Sequence, residues 1–262
     1  MTCPNLIAIN VGNTRTQIGR CRAGEVEETA RFTHEAIADT VQTIQTWWAD
    51  IADDALSPAI LMGSVNDPEA RRLASMLQDQ LSIDVYRVGV DVPIPIGEQL
   101  EPETLTGQDR LLNAAAAYDV VRQAVIVIDV GTAVTVDFVD GEGTFHGGAI
   151  APGARMQLHA LHEYTAALPD LAFAAPDDQA FGRNTAQAML QGVFHGIRGL
   201  VWKLTERYAE AYGAFPTVIA TGGDAETLFA TDELVNHIVP DLTIRGIQCA
   251  ARHAMSDLDA SH

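Results

Sequence analysis

The chain has 262 residues, 47% of them apolar, which is enough for one large or two small domains with a full hydrophobic core. Its formal net charge of −19, from 16 basic and 35 acidic residues, argues against the basic surface that nucleic acid or an anionic membrane requires. A small anionic substrate stays open, because a local pocket can be positive on an acidic protein. The three cysteines, Cys3, Cys21 and Cys249, have no CxxC spacing, so neither a disulfide framework nor a zinc site is expected. The N-terminal residues do not read as a secretory leader, and no apolar run approaches the ~20 residues that span a bilayer. The expectation is a cytoplasmic protein with no nucleic-acid or membrane partner.

In chain order, residues 6–11 are an apolar run that ends at a glycine turn, which predicts a buried strand. Residues 16–22 and about 26–32 follow as hairpin strands. Ile37, Val41, Ile44, Trp48 and Ile51 recur at intervals of four and three, one face of a helix over 34–51. Residues 58–65 predict a strand. The next helix is capped by Asn66 or Asp67, with Pro68 in its first turn. Residues 83–88 predict a strand and 89–104 a loop. A helix begins near Gly107. Strands follow at 124–130, 133–139 and 144–150, then helices at about 153–166 and 183–211. A strand at 216–221 leads into a Gly-Gly turn, a helix, and a last helix near 241–256.

Each half thus opens with strand, glycine turn and strand. Aligned without gaps, residues 9–18 and 128–137 match at Ile9/Ile128, Val11/Val130, Gly12/Gly131 and Thr16/Thr135. This favours a duplicated α/β domain, with boundaries at 1–120 and 121–262. Gly12 and Gly131 allow tight turns whose amides approach phosphate oxygens, assisted by the hydroxyls of Thr14, Thr16 and Thr132. No Walker loop is present. Two ordinary hairpins would look similar one at a time, but the pair, preceded by Asn10 and Asp129, favours phosphate.

Asp109 and Arg110 lie at a helix start just after Gly107. Arg110 can grip a carboxylate with two donors, and Asp109 can take a proton from a hydroxyl. They can also be an acidic residue favourable to the helix dipole and a surface arginine. Gly192 and Gly196 weaken a long helix, which close packing or ligand approach would explain. The "IATGGD" stretch at 219–224, a strand ending in two glycines before a helix, reads as a seat for adenine or ribose. His146, His159, His162 and His195 read as structural or solvated rather than metal-binding.

"NVGNT" at 10–14, "GQDR" at 107–110, "IDVGTAVTVD" at 128–137, "GGAIAPG" at 147–153, "GRNTAQAMLQG" at 182–192 and "ATGG" at 220–223 together resemble the type III pantothenate kinases. The resemblance implies an actin-like α/β fold of two ribonuclease-H-like domains with a nucleotide cleft between them, and a homodimer. It implies ATP-dependent phosphorylation of pantothenate, the first step toward coenzyme A, with Mg²⁺ and a monovalent cation, K⁺ or NH₄⁺. By position, Asn10, Val11, Gly12, Asn13, Thr14, Arg15, Thr16 and Gln17 would form the first phosphate loop, and Thr132 would also contact ATP. Gly107, Gln108, Asp109, Arg110 and Thr185 would contact pantothenate, with Asp109 the proton acceptor. Asp129 would ligate the monovalent cation. The chain departs from the family pattern twice. Asn10 stands where an Asp is usual, and the loop "GEQLEPET" at 97–104 lacks the usual Tyr. A weakly active or inactive homologue with a regulatory or binding role, or a kinase of another small hydroxy acid, are the alternatives these departures leave.

Overall fold

The computed structural model describes residues 5–52 and 58–260; Cys3 lies outside the described residues. The chain forms two compact α/β units. The first takes in the chain through Gly97, Glu101–Asp119, and the segment from Asp241 onward. The second takes in Glu98–Leu100 and Val120–Pro240.

In the first unit, β1 (Leu6–Val11), β2 (Arg15–Arg22) and β3 (Glu25–Thr33) form an antiparallel meander. After α1 (Ile37–Ile51), β4 (Ala59–Ser64) joins β1 in parallel, and after α2 (Asp67–Leu81), β5 (Val85–Arg87) joins β4. The sheet order is β3-β2-β1-β4-β5. β1 is buried on both faces, as its uninterrupted apolar sequence requires. Ile7, Ile9 and Val11 pack under α1 and α2 against Val41, Ile44, Leu73 and Leu77. Each such fully buried side chain contributes about 1.5–3 kcal/mol. In α1, Trp47 is the buried tryptophan, while the sequence-chosen Trp48 is only partly buried. Both positions fit a 3–4 spacing after Ile44; the Arg20 guanidinium 5.9 Å over the Trp47 ring helps enclose that side chain. Asn66 is the α2 cap, its side chain accepting from the Glu69 amide at 3.5 Å.

The other face of this sheet carries Leu6, Ala8 and Leu61. It packs on Leu112, Ile244 and Ile247. Leu112 belongs to α3 (Gln108–Val121), and the isoleucines belong to the C-terminal helix, α7 (Leu242–Ala260). The expected second domain of 121–262 is corrected here, because the last helix belongs to the first unit. The physical reason is the apolar face of β1 and β4, which α3 alone does not cover. Thr243 secures the helix further, donating to buried Asn113 at 2.7 Å.

The second unit repeats the plan. β7 (Val125–Val130), β8 (Ala133–Val139) and β9 (Thr144–Pro152) form the meander, and β10 (Thr217–Thr221) and β11 (His237–Ile238) add in parallel. The order β9-β8-β7-β10-β11 matches that of the first unit strand for strand. A two-residue strand, β6 (Gly97–Glu98), extends the β9 edge. Both short strands, β6 and β11, escape sequence reading because two residues carry no period. Helices α4 (Ala154–Glu163), α5 (Thr185–Tyr212) and α6 (Ala225–Phe229) cover the Ile126, Ile128 and Val130 face.

The duplication is closest in β1 and β7, whose burial runs identically along six residues and opens only at Asn10 and Asp129. The ungapped alignment, however, fails beyond the turn. Val11 pairs with Thr16, whereas Val130 pairs with Val134. The first hairpin therefore has one more residue in its turn, and the Thr16/Thr135 match is not a structural equivalence.

Candidate active-site residues

In the first unit, the β1–β2 turn closes through a hydrogen bond from the Gly12 amide to the Arg15 carbonyl at 2.9 Å. Asn13, Thr14 and Arg15 are exposed at its tip, while Val11 and Thr16 are buried. Thr16 is buried and lines a small pocket with Thr33, His34 and Glu69, so Thr14 is the hydroxyl presented at the tip. Asn10 and Gln17 face one another across the hairpin and are half-buried. By strand alternation, Asn10 shares the face of Leu6 and Ala8, the side on which α3 lies. Its β4 neighbour Gly63 sits directly beneath Leu112, one turn along α3 from Asp109.

Residues 107–110 form the α3 N-terminus of the same unit. Asp109 Oδ1 accepts from the Arg110 amide at 2.8 Å. Burial raises the Asp109 carboxyl above its ordinary value of 3.8, outweighing the Arg110 amide and charge that lower it. A Cβ on Gly107 would lie 2.7 Å from Asp109 Oδ1, so this glycine leaves room for the carboxylate. Gln108 is engaged inside the protein: its Oε1 accepts from the Ser64 amide at 3.1 Å. It ties the helix start to the end of β4. Ser64 also holds the Asn66 amide through its Oγ at 2.9 Å. Sequence reading did not single out Ser64; its position at the end of a buried strand, just before a helix cap, is the available signal.

In the second unit, Asp129, Gly131 and Thr132 lie at the β7–β8 turn, closed by the Gly131 amide on the Ala133 carbonyl at 2.9 Å. Thr132 is exposed and Asp129 half-buried. The turn after β10 crosses the end of β7 at close range. Gly222 has φ +97°, and a Cβ there would fall 2.4 Å from the Val130 carbonyl oxygen and 2.5 Å from Asp129 Oδ1. Adjacent strand ends thus carry the β7–β8 turn and the "GGD" turn together. Ligands of open α/β sheets bind at such carboxyl ends.

Thr185 begins α5 and is exposed, with Asn184 capping the helix by accepting from the Gln187 amide at 2.9 Å. A Cβ on Gly192 or Gly196 meets nothing within 4 Å, so packing within the chain does not explain these glycines. His146 is bonded to Asp140 at 2.7 Å, and His162 Nδ1 meets the Leu168 carbonyl at 2.7 Å, as structural histidines would be. Among the described residues, no group of three or more His, Cys, Asp or Glu could hold a metal ion. Mg²⁺ that arrives on a nucleotide needs no such cage, since it keeps waters and phosphate oxygens as ligands. Among the described residues, no helix is long and apolar enough to cross a membrane.

A family model for type III pantothenate kinases matches residues 6–207. The type III pantothenate kinase of Rhodospirillum rubrum is 35% identical over 257 residues, covering 96% of this chain and 100% of that one. Among solved structures, a protein described as a Baf family transcriptional activator from Campylobacter jejuni aligns with TM-score 0.63 at 18% identity, over 95% of this chain and 99% of its own. A ROK family glucokinase from Streptomyces griseus aligns with TM-score 0.52 at 14% identity, over 95% and 99%. At these identities the two structures speak to the fold alone, which is actin-like.

Proposed function

Because the chain belongs to the type III pantothenate kinase family, we propose that it phosphorylates pantothenate with ATP, the first step toward coenzyme A. The observation that carries this reading is Asp109, a half-buried carboxylate with a raised pKa, set beside Arg110 at a helix N-terminus. Asp109 accepts the proton of the primary hydroxyl of pantothenate. That oxygen then bonds to the γ-phosphorus of ATP, the bond to the bridging oxygen breaks, and ADP leaves. Phosphoryl transfer asks mainly for positioning and charge stabilisation. The exposed turn residues 13–15, with the Thr14 hydroxyl, suit the phosphates, as do Gly131 and Thr132. Mg²⁺ bound with the nucleotide supplies charge neutralisation at its phosphate oxygens. Asp129 would hold K⁺ or NH₄⁺, and Arg110 and Thr185 would bind the acid substrate. A direct assay with ATP, Mg²⁺ and K⁺ tests the assignment: phosphate must appear on pantothenate, and absence of transfer overturns it.

Two further outcomes are expected. Arg110→Lys should raise the KM for pantothenate severalfold and leave the KM for ATP unchanged, because lysine keeps the charge but loses the planar fork; equal changes in both constants would remove Arg110 from the acid. Turnover should fall when K⁺ is replaced by a bulky organic cation at matched ionic strength, and Asp129→Asn should abolish the difference. Indifference of the natural protein to the cation would end that role for Asp129.

The reading includes a homodimer, supported by the family and by the open glycine positions along α5; sedimentation of the purified protein tests it. It also includes the cytoplasm, which suits an ATP-consuming enzyme whose buried Cys21 and Cys249 are not disulfide-bonded.

A further inference from the structure

Arg155 and Asp224 form a two-pronged ion pair in the second unit, with Nη1 to Oδ2 at 2.9 Å and Nη2 to Oδ1 at 2.8 Å. They are 69 residues apart in sequence. The Asp224 side chain is only 4% exposed, while that of Arg155 is 59% exposed. Asp224 stands at the N-cap position of α6 but makes no side-chain cap bond, so capping does not account for its carboxylate. Its backbone amide donates to the Val130 carbonyl at 3.0 Å, which seats the "GGD" turn on the end of β7. Arg155 comes from the first turn of α4. The residue before that helix, Gly153, donates to the Thr132 carbonyl at 3.0 Å, and a Cβ there would lie 2.2 Å from the Gly131 carbonyl oxygen. Three turns, 131–132, 153–155 and 222–224, therefore meet at this strand end, and the ion pair ties the second to the third.

The charge matters as much as the tie. Asp129 Oδ1 already lies against the Gly222 turn. Without Arg155, the Asp224 carboxylate, 4% exposed and on the turn that meets the end of β7, would be uncompensated. An unbalanced negative charge would then join Asp129 at the end of the sheet that the phosphate turn occupies.

We infer that Arg155 is a positioning residue for the nucleotide: by neutralising and holding Asp224, it fixes the glycine turn against the phosphate turn and keeps that strand end receptive to polyphosphate. The inference rests on the kinase reading, in which these turns receive ATP.

Calorimetric titration with ATP and Mg²⁺, without acceptor, separates the inference from the reading, alongside steady-state kinetics and melting temperatures. Arg155→Ala should weaken ATP binding about fivefold, and Arg155→Lys about twofold, since lysine restores charge but not the fork. The KM for pantothenate should stay within about twofold. Adding Asp224→Asn to Arg155→Ala should recover most of the ATP affinity, because the unbalanced carboxylate is gone. A merely structural pair would lower the melting temperature, move both KM values together and show no recovery in the double variant. Either that pattern or unchanged ATP binding in Arg155→Ala overturns the inference. Should Arg155→Ala not fold, Arg155→Lys carries the same test, and unchanged ATP affinity there counts against it. A natural protein that binds ATP but does not phosphorylate pantothenate sinks the kinase reading and not the clamp. One that phosphorylates pantothenate while Arg155→Ala binds ATP normally sinks the clamp alone.

Discussion

Asp109→Asn should reduce turnover by ~10²–10⁴, the usual worth of a positioned general base, and should raise the melting temperature at neutral pH. The amide matches the carboxylate in shape and can still accept from the Arg110 amide, but it takes no proton from the substrate hydroxyl. The stability gain follows from burial. The folded Asp109 carboxyl is raised above its ordinary 3.8, so the folded chain binds that proton more tightly than the unfolded chain. The stability linked to that proton is complete below about pH 3.8 and is lost as pH rises through the raised folded value. At neutral pH the ionised carboxylate sits in a poorly solvated place at a cost, and the neutral amide removes that cost. The pH dependence of kcat/KM should show the same group. Its acid limb should lie above 3.8, because the base works only when ionised, and residual activity of the variant should lack that limb. A variant with near-natural turnover would exclude Asp109 as the base. One with lost turnover and a lower melting temperature would show that the carboxylate supports the fold instead.

Much of this was legible from local pattern. Continuous apolar runs marked β1 and β7 to within a residue, and the four-and-three spacing marked α1. Their environment, buried on both faces, is what such runs demand. The start of α3 was legible because a glycine, an acid and an arginine precede a run of apolar residues. What stayed hidden depends on partners distant in the chain. Gln108 reads as a substrate ligand in a motif, yet its side-chain oxygen is taken by the Ser64 amide, 44 residues away. No local pattern ties Asp224 to Arg155, 69 residues earlier, which holds both of its side-chain oxygens. The placement of α7 depends on which sheet lacks cover, and no periodicity within 241–256 encodes that. The one-residue difference between the two hairpins is similar. Threonines at matched sequence positions suggest equivalence, and only the register of pairing shows that they are not.

Asn10→Asp should increase Mg²⁺ affinity or turnover about tenfold, the equivalent of ~1.4 kcal/mol of restored charge interaction. Position 10 and Asp129 occupy the same place in the two repeats, the one half-buried step at the end of an otherwise buried strand. A side chain there is presented at the strand end but is partly withdrawn from bulk water, so its charge is felt more strongly than on the surface. A carboxylate at position 10 would attract the hard Mg²⁺ ion that travels with the nucleotide, directly or through its waters. Asparagine keeps an oxygen of similar size and loses the charge, and its NH₂ can donate to a phosphate oxygen instead. The natural protein should therefore hold its hairpin shape and bind Mg²⁺–ATP weakly. Charge has a second consequence. Asn10 lies on the face of the sheet that carries α3, so an aspartate there adds a negative charge on the Asp109 side of the unit. Like charge disfavours ionisation, so the acid limb of the Asn10→Asp variant should move upward at low Mg²⁺ and return at high Mg²⁺. Steady-state kinetics of the natural protein and the variant, across a Mg²⁺ titration at two pH values, measure the two effects together. Brisk turnover of the natural protein with no gain from aspartate would show that this site works through an amide–phosphate contact and needs no carboxylate at position 10.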